Sequence, residues 1–333
     1  MLKGSLSYEA PESLDQAVDV LMTGDNITLL AGGTDVISQI KYGVKKPTSL
    51  LDLKNIPSLK SVTLRDEGLW IGSMVTLTEI ANHSRVNTYF PALARSVRSV
   101  ASPQIRNVAT VGGNLFQERR CLYFNQSEYW RKNVPACFKL KGEVCHQVPG
   151  SNTCRALYYS DTAPVLLAFD ARAELYDGGN FRIIPLQEMI RRHVTGENEK
   201  LLLTGILLPV PPDGTWGRFM KQSVRAAIDF AMINVALRFS PPFPEDTRAP
   251  VVKIFVGAIS PEPVELNETA ENLVSNFSKC SSLQGEIKEQ ARKEVSKRSA
   301  LIRETGVSLK SKRNAFYIVS NVLSELFTFL ATR

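Results

Sequence analysis

The 333-residue sequence predicts an α+β fold in two domains. Three observations predict it. A strand, a glycine pair and a helix follow one another near the N-terminus. Hairpins with short polar turns come next, and the last third reads as three strands and three helices. Pro209, Pro211 and Pro212 close off an apolar strand, which sets a domain boundary and gives residues 1–212 and 213–333.

Each element has its own signal. Ser13-Leu14-Asp15-Gln16 is a capping box for a helix carried on by Val18, Leu21 and Met22 and ended by Gly24-Asp25-Asn26. Residues 27–31 form a short buried strand, and Gly32-Gly33-Thr34-Asp35 turns it into a helix over 36–42. Glycine lets the backbone approach a ligand, and free N–H groups at a helix start favour an anion, although a glycine pair after a strand is also a plain turn. Residues 49–52 make a further strand, and 61–64 with 69–71 a hairpin. Thr76-Leu77-Thr78-Glu79 is a second capping box, and 93–100 has helical spacing. A second glycine pair stands in Thr110-Val111-Gly112-Gly113-Asn114. Two such turns suit the two ends of one phosphate-bearing cofactor, because backbone donors and short hydroxyl or amide groups fit a pyrophosphate and its ribose.

Ser160-Asp161-Thr162-Ala163-Pro164 starts an apolar helix reaching Phe169. A hairpin follows over 173–176 and 181–184, then a strand over 201–208. The second domain reads as strands 216–222, 230–239 and 251–259 backed by helices 265–277, 284–297 and 315–330, with Pro241-Pro242-Phe243-Pro244 as a surface loop.

Four of the five cysteines, Cys121, Cys137, Cys145 and Cys154, lie within 34 residues of polar and aromatic sequence that lacks either apolar period. A long loop in a compact domain needs something to tie it down, and four thiols suggest a metal. Their spacing, with 15, 7 and 8 residues between successive cysteines, matches neither paired zinc ligands nor the compact ferredoxin run, so zinc, iron-sulfur and redox thiols all stay open. His146 reads as a structural or solvent-facing neighbour of Cys145, and Cys280 as an ordinary thiol.

Composition narrows the classes. The chain is 44% hydrophobic and 22% charged, which suits a globular protein, and no apolar run approaches the roughly 20 residues of a membrane span. Met1-Leu2-Lys3-Gly4 does not open a signal peptide, so the expected compartment is the cytoplasm, where clustered thiols are metal ligands rather than disulfides. The net charge of +7 is spread along the chain, and its dense groups, such as Lys310-Ser311-Lys312-Arg313, read as solvated helical faces rather than a nucleic-acid surface. His83 and His193 have no acidic or nucleophilic partner in sequence, and no nucleophile-base arrangement appears, so no catalytic residue is assigned.

Leu29-Leu30-Ala31-Gly32-Gly33-Thr34-Asp35, Thr110-Val111-Gly112-Gly113-Asn114, Ser160-Asp161-Thr162-Ala163-Pro164 and Phe219-Met220-Lys221-Gln222 resemble, in this order, the FAD-binding subunits of molybdenum hydroxylases, the xanthine and carbon monoxide dehydrogenase flavoproteins. The resemblance implies a PCMH-type FAD-binding domain of two α/β subdomains over 1–212. It implies, over 213–333, a C-terminal domain with a three-stranded antiparallel sheet and helices, of the CO dehydrogenase flavoprotein type. It lays Leu29, Leu30, Ala31, Gly32, Gly33, Thr34, Asp35 and Val36 along the FAD pyrophosphate, and Val100, Thr110, Val111, Gly112, Gly113, Asn114 and Gln117 along the flavin and its linker. Asp161 would accept cofactor hydroxyls, Leu203 would pack on the ring system and Lys221 would stand near the flavin edge.

Between the second glycine turn and Asp161 the chain inserts about forty residues, 118–157. That insertion resembles the FAD-binding (beta) subunit of 4-hydroxybenzoyl-CoA reductase, as in Cys121-Leu122-Tyr123-Phe124-Asn125-Gln126-Ser127-Glu128-Tyr129-Trp130-Arg131 and Lys139-Leu140-Lys141-Gly142-Glu143-Val144-Cys145-His146. The resemblance implies a [4Fe-4S] cluster on Cys121, Cys137, Cys145 and Cys154. It further implies a molybdenum-cofactor subunit and a [2Fe-2S] subunit as partners in an (αβγ)2 heterohexamer, and a low-potential donor such as ferredoxin, with electrons spent on reductive dehydroxylation of an aromatic acyl-CoA. Ala31-Gly32-Gly33 stands closer to the general flavoprotein family than to the reductase. The competing expectations are the FAD subunit of an oxidising molybdenum hydroxylase and, from another class, a basic zinc-loop module that binds nucleic acid.

Overall fold

The computed structural model describes residues 6–197, 200–226, 228–242, 249–280, 282–303 and 307–332; the N-terminal Met1-Leu2-Lys3-Gly4 and Phe243 and Pro244 of the expected surface loop lie outside them. The chain forms two compact units that interleave along the sequence. Unit 1 comprises Met1–Ile80, Ser102–Arg155 and Asp170–Pro209, and unit 2 comprises Ala81–Ala101, Ala156–Phe169 and Val210–Arg333.

Unit 1 holds two sheets. In the first, β1 (Ser7–Glu9), β2 (Ile27–Leu30) and β3 (Ser49–Asp52) run parallel in the order β1-β3-β2. The strand β1 has three exposed residues and no apolar period, so nothing in the sequence marks it; it forms because β3 offers an edge. Helix Leu14–Thr23 covers this sheet with Ala17, Val18 and Leu21, which pack with Leu51, Leu53, Ile56 and Leu59. Ser13 caps it through the Gln16 N–H, while the Gln16 side chain reaches back to the N–H of Glu12 at 3.0 Å.

The second sheet is antiparallel, in the order β4-β5-β8-β6-β7, with β4 (Val62–Arg65), β5 (Gly68–Gly72), β6 (Arg172–Tyr176), β7 (Phe181–Pro185) and β8 (Leu202–Leu208). Central β8 is buried along its whole length, so its sequence is apolar on both faces apart from Thr204 and Gly205 and shows no alternation. Helix Leu186–Thr195 buries Leu186, Met189 and Ile190, an i, i+3, i+4 set legible in the sequence but masked by Pro185 immediately before it.

Among the described residues the sheet of unit 2 has four strands, not three: β9 (Trp216–Gln222), β10 (Ile233–Ser240), β11 (Val251–Gly257) and β12 (Val264–Glu265), ordered β12-β11-β10-β9 and antiparallel. The added strand is two residues long, too short for any period to announce it. Strand β11 stops at Gly257 because Ala258 adopts φ +65°, which no strand continues. Helices Asn267–Ser275, Gln284–Arg298 and Tyr317–Ala331 build the core with β10 and β11, around Val235, Leu237, Ile254, Val256, Val322 and Leu326. Each such side chain, fully buried, contributes about 1.5–3 kcal/mol.

The C-terminal segment bears on two expectations. Residues Leu309–Ala331, with a mean hydropathy of 1.2 over 18 residues, are long and apolar enough to cross a membrane by length and composition, although 44% of that window is buried in the fold. The apolar face of this stretch, including Val319, Val322, Leu323 and Leu326, is the core of unit 2. Lys312 is not on a solvated face either. It is buried, with Nζ 5.7 Å from the centre of the Tyr159 ring.

Candidate cofactor and cysteine sites

The two glycine turns of unit 1 lie side by side. A Cβ on Gly32 would meet the Val108 carbonyl oxygen at 2.0 Å, so only glycine lets the first turn press against the backbone that leads into the second. A Cβ on Gly113 would stand 3.8 Å from the Ala31 Cβ. Gly33 has φ +75°, which carries the chain from β2 into helix Val36–Lys41. The N-cap residue Asp35 does not cap that helix with its side chain. The Asp35 carboxylate instead binds Arg120 at 2.5 Å, the Gln39 side chain at 2.6 Å and the N–H of Glu118 at 3.0 Å. Asp35 therefore ties the first turn to the start of the cysteine loop and leaves the leading N–H groups of the helix uncapped by its own carboxylate.

The second turn is a short helix, Val111–Leu115, whose start is capped by Thr110 Oγ1 accepting the Gly113 N–H at 3.1 Å. Gly112 donates to the Ser73 carbonyl at 2.9 Å, and the buried Ser73 hydroxyl beside it has no hydrogen-bond partner among the described residues. An uncapped helix start, a left-handed glycine and an orphaned hydroxyl around paired turns are features that fit a phosphate-bearing cofactor. Leu29, Ile37, Val108 and Phe116 are at least 37% exposed around these turns, an apolar surface suited to a planar ring. Gln117 is buried and donates to the Asn114 carbonyl at 2.7 Å, and its own carbonyl meets His193 Nε2 at 3.2 Å. Leu203 is buried in β8 opposite Leu175.

In unit 2, Asp161 and Lys221 meet each other. Lys221 Nζ donates to Asp161 Oδ2 at 2.6 Å and to the Ser99 carbonyl at 3.0 Å, one residue before Val100. Asn234, which no sequence motif marked, donates to Asp161 Oδ1 at 2.7 Å. A lone amide in the apolar strand β10 is the signal that would have found it. Burial pushes the Asp161 carboxyl above its usual range, against the opposing pull of Lys221 and Asn234.

The cysteine loop has a small core of its own. Tyr123, Phe124 and Cys137 are buried against Val44, Cys121, Val134 and Leu140. Arg131 is buried and satisfies carbonyls on two segments, donating to Phe124 O at 3.2 Å and to Gly43 O at 2.8 Å. His146 is structural: it stacks on Tyr123 with centroids 4.1 Å apart and meets the Pro135 carbonyl at 2.7 Å. Cys121 Sγ accepts the Phe124 N–H at 3.1 Å. Cys137 pairs in a β-bridge with Val144, so Cys145 leaves the chain beside it.

None of the four loop cysteines is in a disulfide, and among the described residues no three His, Cys, Asp or Glu side chains converge tightly enough to hold a single metal ion. Cys121, Cys137 and Cys154 are nevertheless close enough to act on one another. Burial pushes Cys121 up to about 11 and raises Cys137, and the neighbouring thiols add to both shifts. A cubane takes one sulfur per iron, a wider arrangement than the ligands of one ion, and N–H donors to sulfur are among the features that tune such clusters. Cys280 is buried in the unit 2 core, remote in sequence from the loop.

Residues 4–211 match the family described as FAD binding domain in molybdopterin dehydrogenase. The chain belongs to this family. It is 25% identical over 277 residues to the xanthine dehydrogenase FAD-binding subunit of Escherichia coli O157:H7, covering 81% of each chain. It is 32% identical over 232 residues to the aldehyde oxidoreductase FAD-binding subunit PaoB of Escherichia coli K12, covering 64% of this chain and 70% of that one. Among solved structures, the fold matches a Cu,Mo-CO dehydrogenase chain with a TM-score of 0.72 at 20% identity, covering 98% of both chains. It also matches quinoline 2-oxidoreductase from Pseudomonas putida 86, with a TM-score of 0.70 at 17% identity, covering 98% of this chain and 96% of that one. The mixed architecture, an FAD-binding domain followed by a C-terminal sheet domain, is that of this family, and its relatives are oxidoreductase FAD subunits.

Proposed function

We propose that this chain is the electron-transferring FAD subunit of a multi-subunit molybdenum hydroxylase of the xanthine or carbon monoxide dehydrogenase type, with substrate oxidised on a molybdenum-cofactor subunit and a [2Fe-2S] subunit between. The paired glycine turns carry the proposal. Leu29 to Val36 and Thr110 to Asn114 form a backbone cradle, and Gln117 and Leu203 extend its lining. Val100, Asp161 and Lys221 are assigned to FAD by the family resemblance, and Lys221 holds both Asp161 and the Ser99 carbonyl that precedes Val100. FAD supplies a carrier able to exchange one or two electrons.

The cysteine loop adds a second carrier to this proposal, a [4Fe-4S] cluster on Cys121, Cys137, Cys145 and Cys154. The chain's own contribution is a loop with a small aromatic core around Cys137 and an N–H donor already aimed at Cys121. The same loop favours a second assignment, in which electrons run the other way, from a ferredoxin-like donor to an acyl-CoA, as in 4-hydroxybenzoyl-CoA reductase. The relatives with dehydrogenase and oxidoreductase names favour the oxidising direction.

Anaerobic purification followed by absorption spectroscopy and iron analysis tests both carriers. Flavin bands with broad iron-sulfur absorbance are expected. Flavin without iron would remove the cluster, and absence of both would remove the whole assignment. Cys137→Ser is expected to lose iron and keep FAD. Bleaching of the flavin by aldehydes or N-heteroaromatics in the complete complex would establish the oxidising direction; bleaching only by a low-potential reductant, reversed by an aromatic acyl-CoA, would establish the reductive one.

A further inference from the structure

We infer that the Lys139 ammonium sets the potential of the cluster carried by the cysteine loop, with the Glu118 carboxylate as its counterweight; the inference rests on the cluster assignment above. Lys139 lies two residues after Cys137, in the short turn Phe138–Leu140. Its Nζ donates to the Glu118 carboxylate and to the Arg119 carbonyl at 3.4 Å, and stands 4.5 Å from the centre of the Phe124 ring. Phe124 belongs to the small core that buries Cys137, and its N–H donates to Cys121. Cys121 packs against the same core, so the ring that the ammonium faces lies in a cluster with two of the loop sulfurs.

The lysine is held there against its own preference. Only 10% of its side chain is exposed, and taking an ammonium out of water is costly unless charge nearby compensates. A pair that existed only to join Glu118 to Lys139 would be as well served at the surface, where both side chains stay hydrated. Inside the loop the solvent screens little, so a fixed cation beside the sulfurs acts at nearly full strength. Adding an electron to a thiolate-ligated cluster adds negative charge, which the cation stabilises and the carboxylate opposes. The two residues therefore push the midpoint in opposite directions.

The test is a reductive titration of the anaerobically purified complex, with the cluster followed by electron paramagnetic resonance and the flavin by absorbance. At a fixed ambient potential, Lys139→Met is expected to lower the reduced-to-oxidised ratio of the cluster roughly tenfold, about 59 mV for a one-electron couple. Lys139→Arg keeps the wild-type midpoint, and Glu118→Gln shifts it upward. Should Lys139→Met not fold, Lys139→Gln, which removes the charge but keeps a donor for Glu118, takes its place with the same expected direction. Shifts of one sign in both variants, or midpoints that stay at the wild-type value, would overturn the inference while leaving the cluster assignment intact. Wild-type protein without iron would overturn the cluster assignment itself and the inference with it.

Discussion

Two inward ion pairs, each a lysine and a carboxylate, differ in how completely they are satisfied. In unit 2, Asp161 has one oxygen on Lys221 and the other on Asn234, and Lys221 also holds the Ser99 carbonyl, so the network is closed among groups of the fold. In the cysteine loop, Lys139 and the Arg119 N–H share one oxygen of Glu118, and the ammonium makes only a long 3.4 Å contact to the Arg119 carbonyl and turns its remaining face to the Phe124 ring. The closed pair positions backbone. The open pair keeps charge available to whatever the loop holds. The difference teaches that burial of charge alone does not mark function; the unassigned face does.

The largest effect should come from the closed pair. Asp161→Ala leaves Lys221 buried without a carboxylate and is expected to cost about 3–5 kcal/mol, read from urea denaturation. Double substitution, Asp161→Leu with Lys221→Met, should cost less than Asp161→Ala alone, because no charge is then left uncompensated. A double variant as unstable as Asp161→Ala would break the account of a closed charge network. Next in size is Gly32→Ala. Its Cβ would meet backbone rather than a flexible side chain, so about 1–3 kcal/mol of overpacking and a loss of FAD retention are expected, measured by thermal unfolding and flavin content.

The pairs should also respond to pH with opposite signs. Asp161 is raised above 3.8 by burial, so the folded chain holds its proton more tightly than the unfolded chain, and the stability it contributes is present below 3.8 and lost as pH rises through the raised value. Glu118 is also pushed up by burial, but Lys139 beside it wins and holds it below 4.5, so its contribution is present above 4.5 and lost as pH falls through the lowered value. Melting temperatures across acidic pH should therefore show the wild-type advantage over Asp161→Asn shrinking as pH rises, and that over Glu118→Gln shrinking as pH falls. Parallel trends would mean the two pairs do not differ as described. The smallest effect is expected at the hydrated pair Lys46–Glu128 on the outside of the loop, 2.7 Å apart: Lys46→Ala should leave the melting temperature unchanged.

Much of the fold was legible because its signals are local. The capping box at Thr76 closes as written, with Thr76 N–H on the Glu79 carboxylate at 2.7 Å and Glu79 N–H on Thr76 Oγ1 at 3.2 Å. The glycine turns stand where their residues placed them, since the left-handed φ of Gly33 and the close approach at Gly32 are demands that glycine meets and other residues resist. The strands β1 and β12 were not legible, because two or three residues carry no period and depend on a neighbour's edge. Lys312 was misplaced for a related reason: a run of basic residues looks solvated unless the fold brings an aromatic pocket to one of them.

By itself, the sequence determined the α+β class, the paired glycine turns, the four-cysteine insertion and the family, all properties of short stretches or of residue types that one backbone conformation demands. Only the tertiary structure decided that Asp161 and Lys221 engage each other, that Asn234 completes them, that Asp35 moors the cysteine loop, and that Lys139 pairs with Glu118 inside it. Those partners are 60 to 83 residues apart in the chain in the first, second and third cases, and the Lys139 ammonium reaches back 21 residues to Glu118. Interactions across such separations are set by which surfaces the packed sheets and loops bring together, and no local period or motif encodes them.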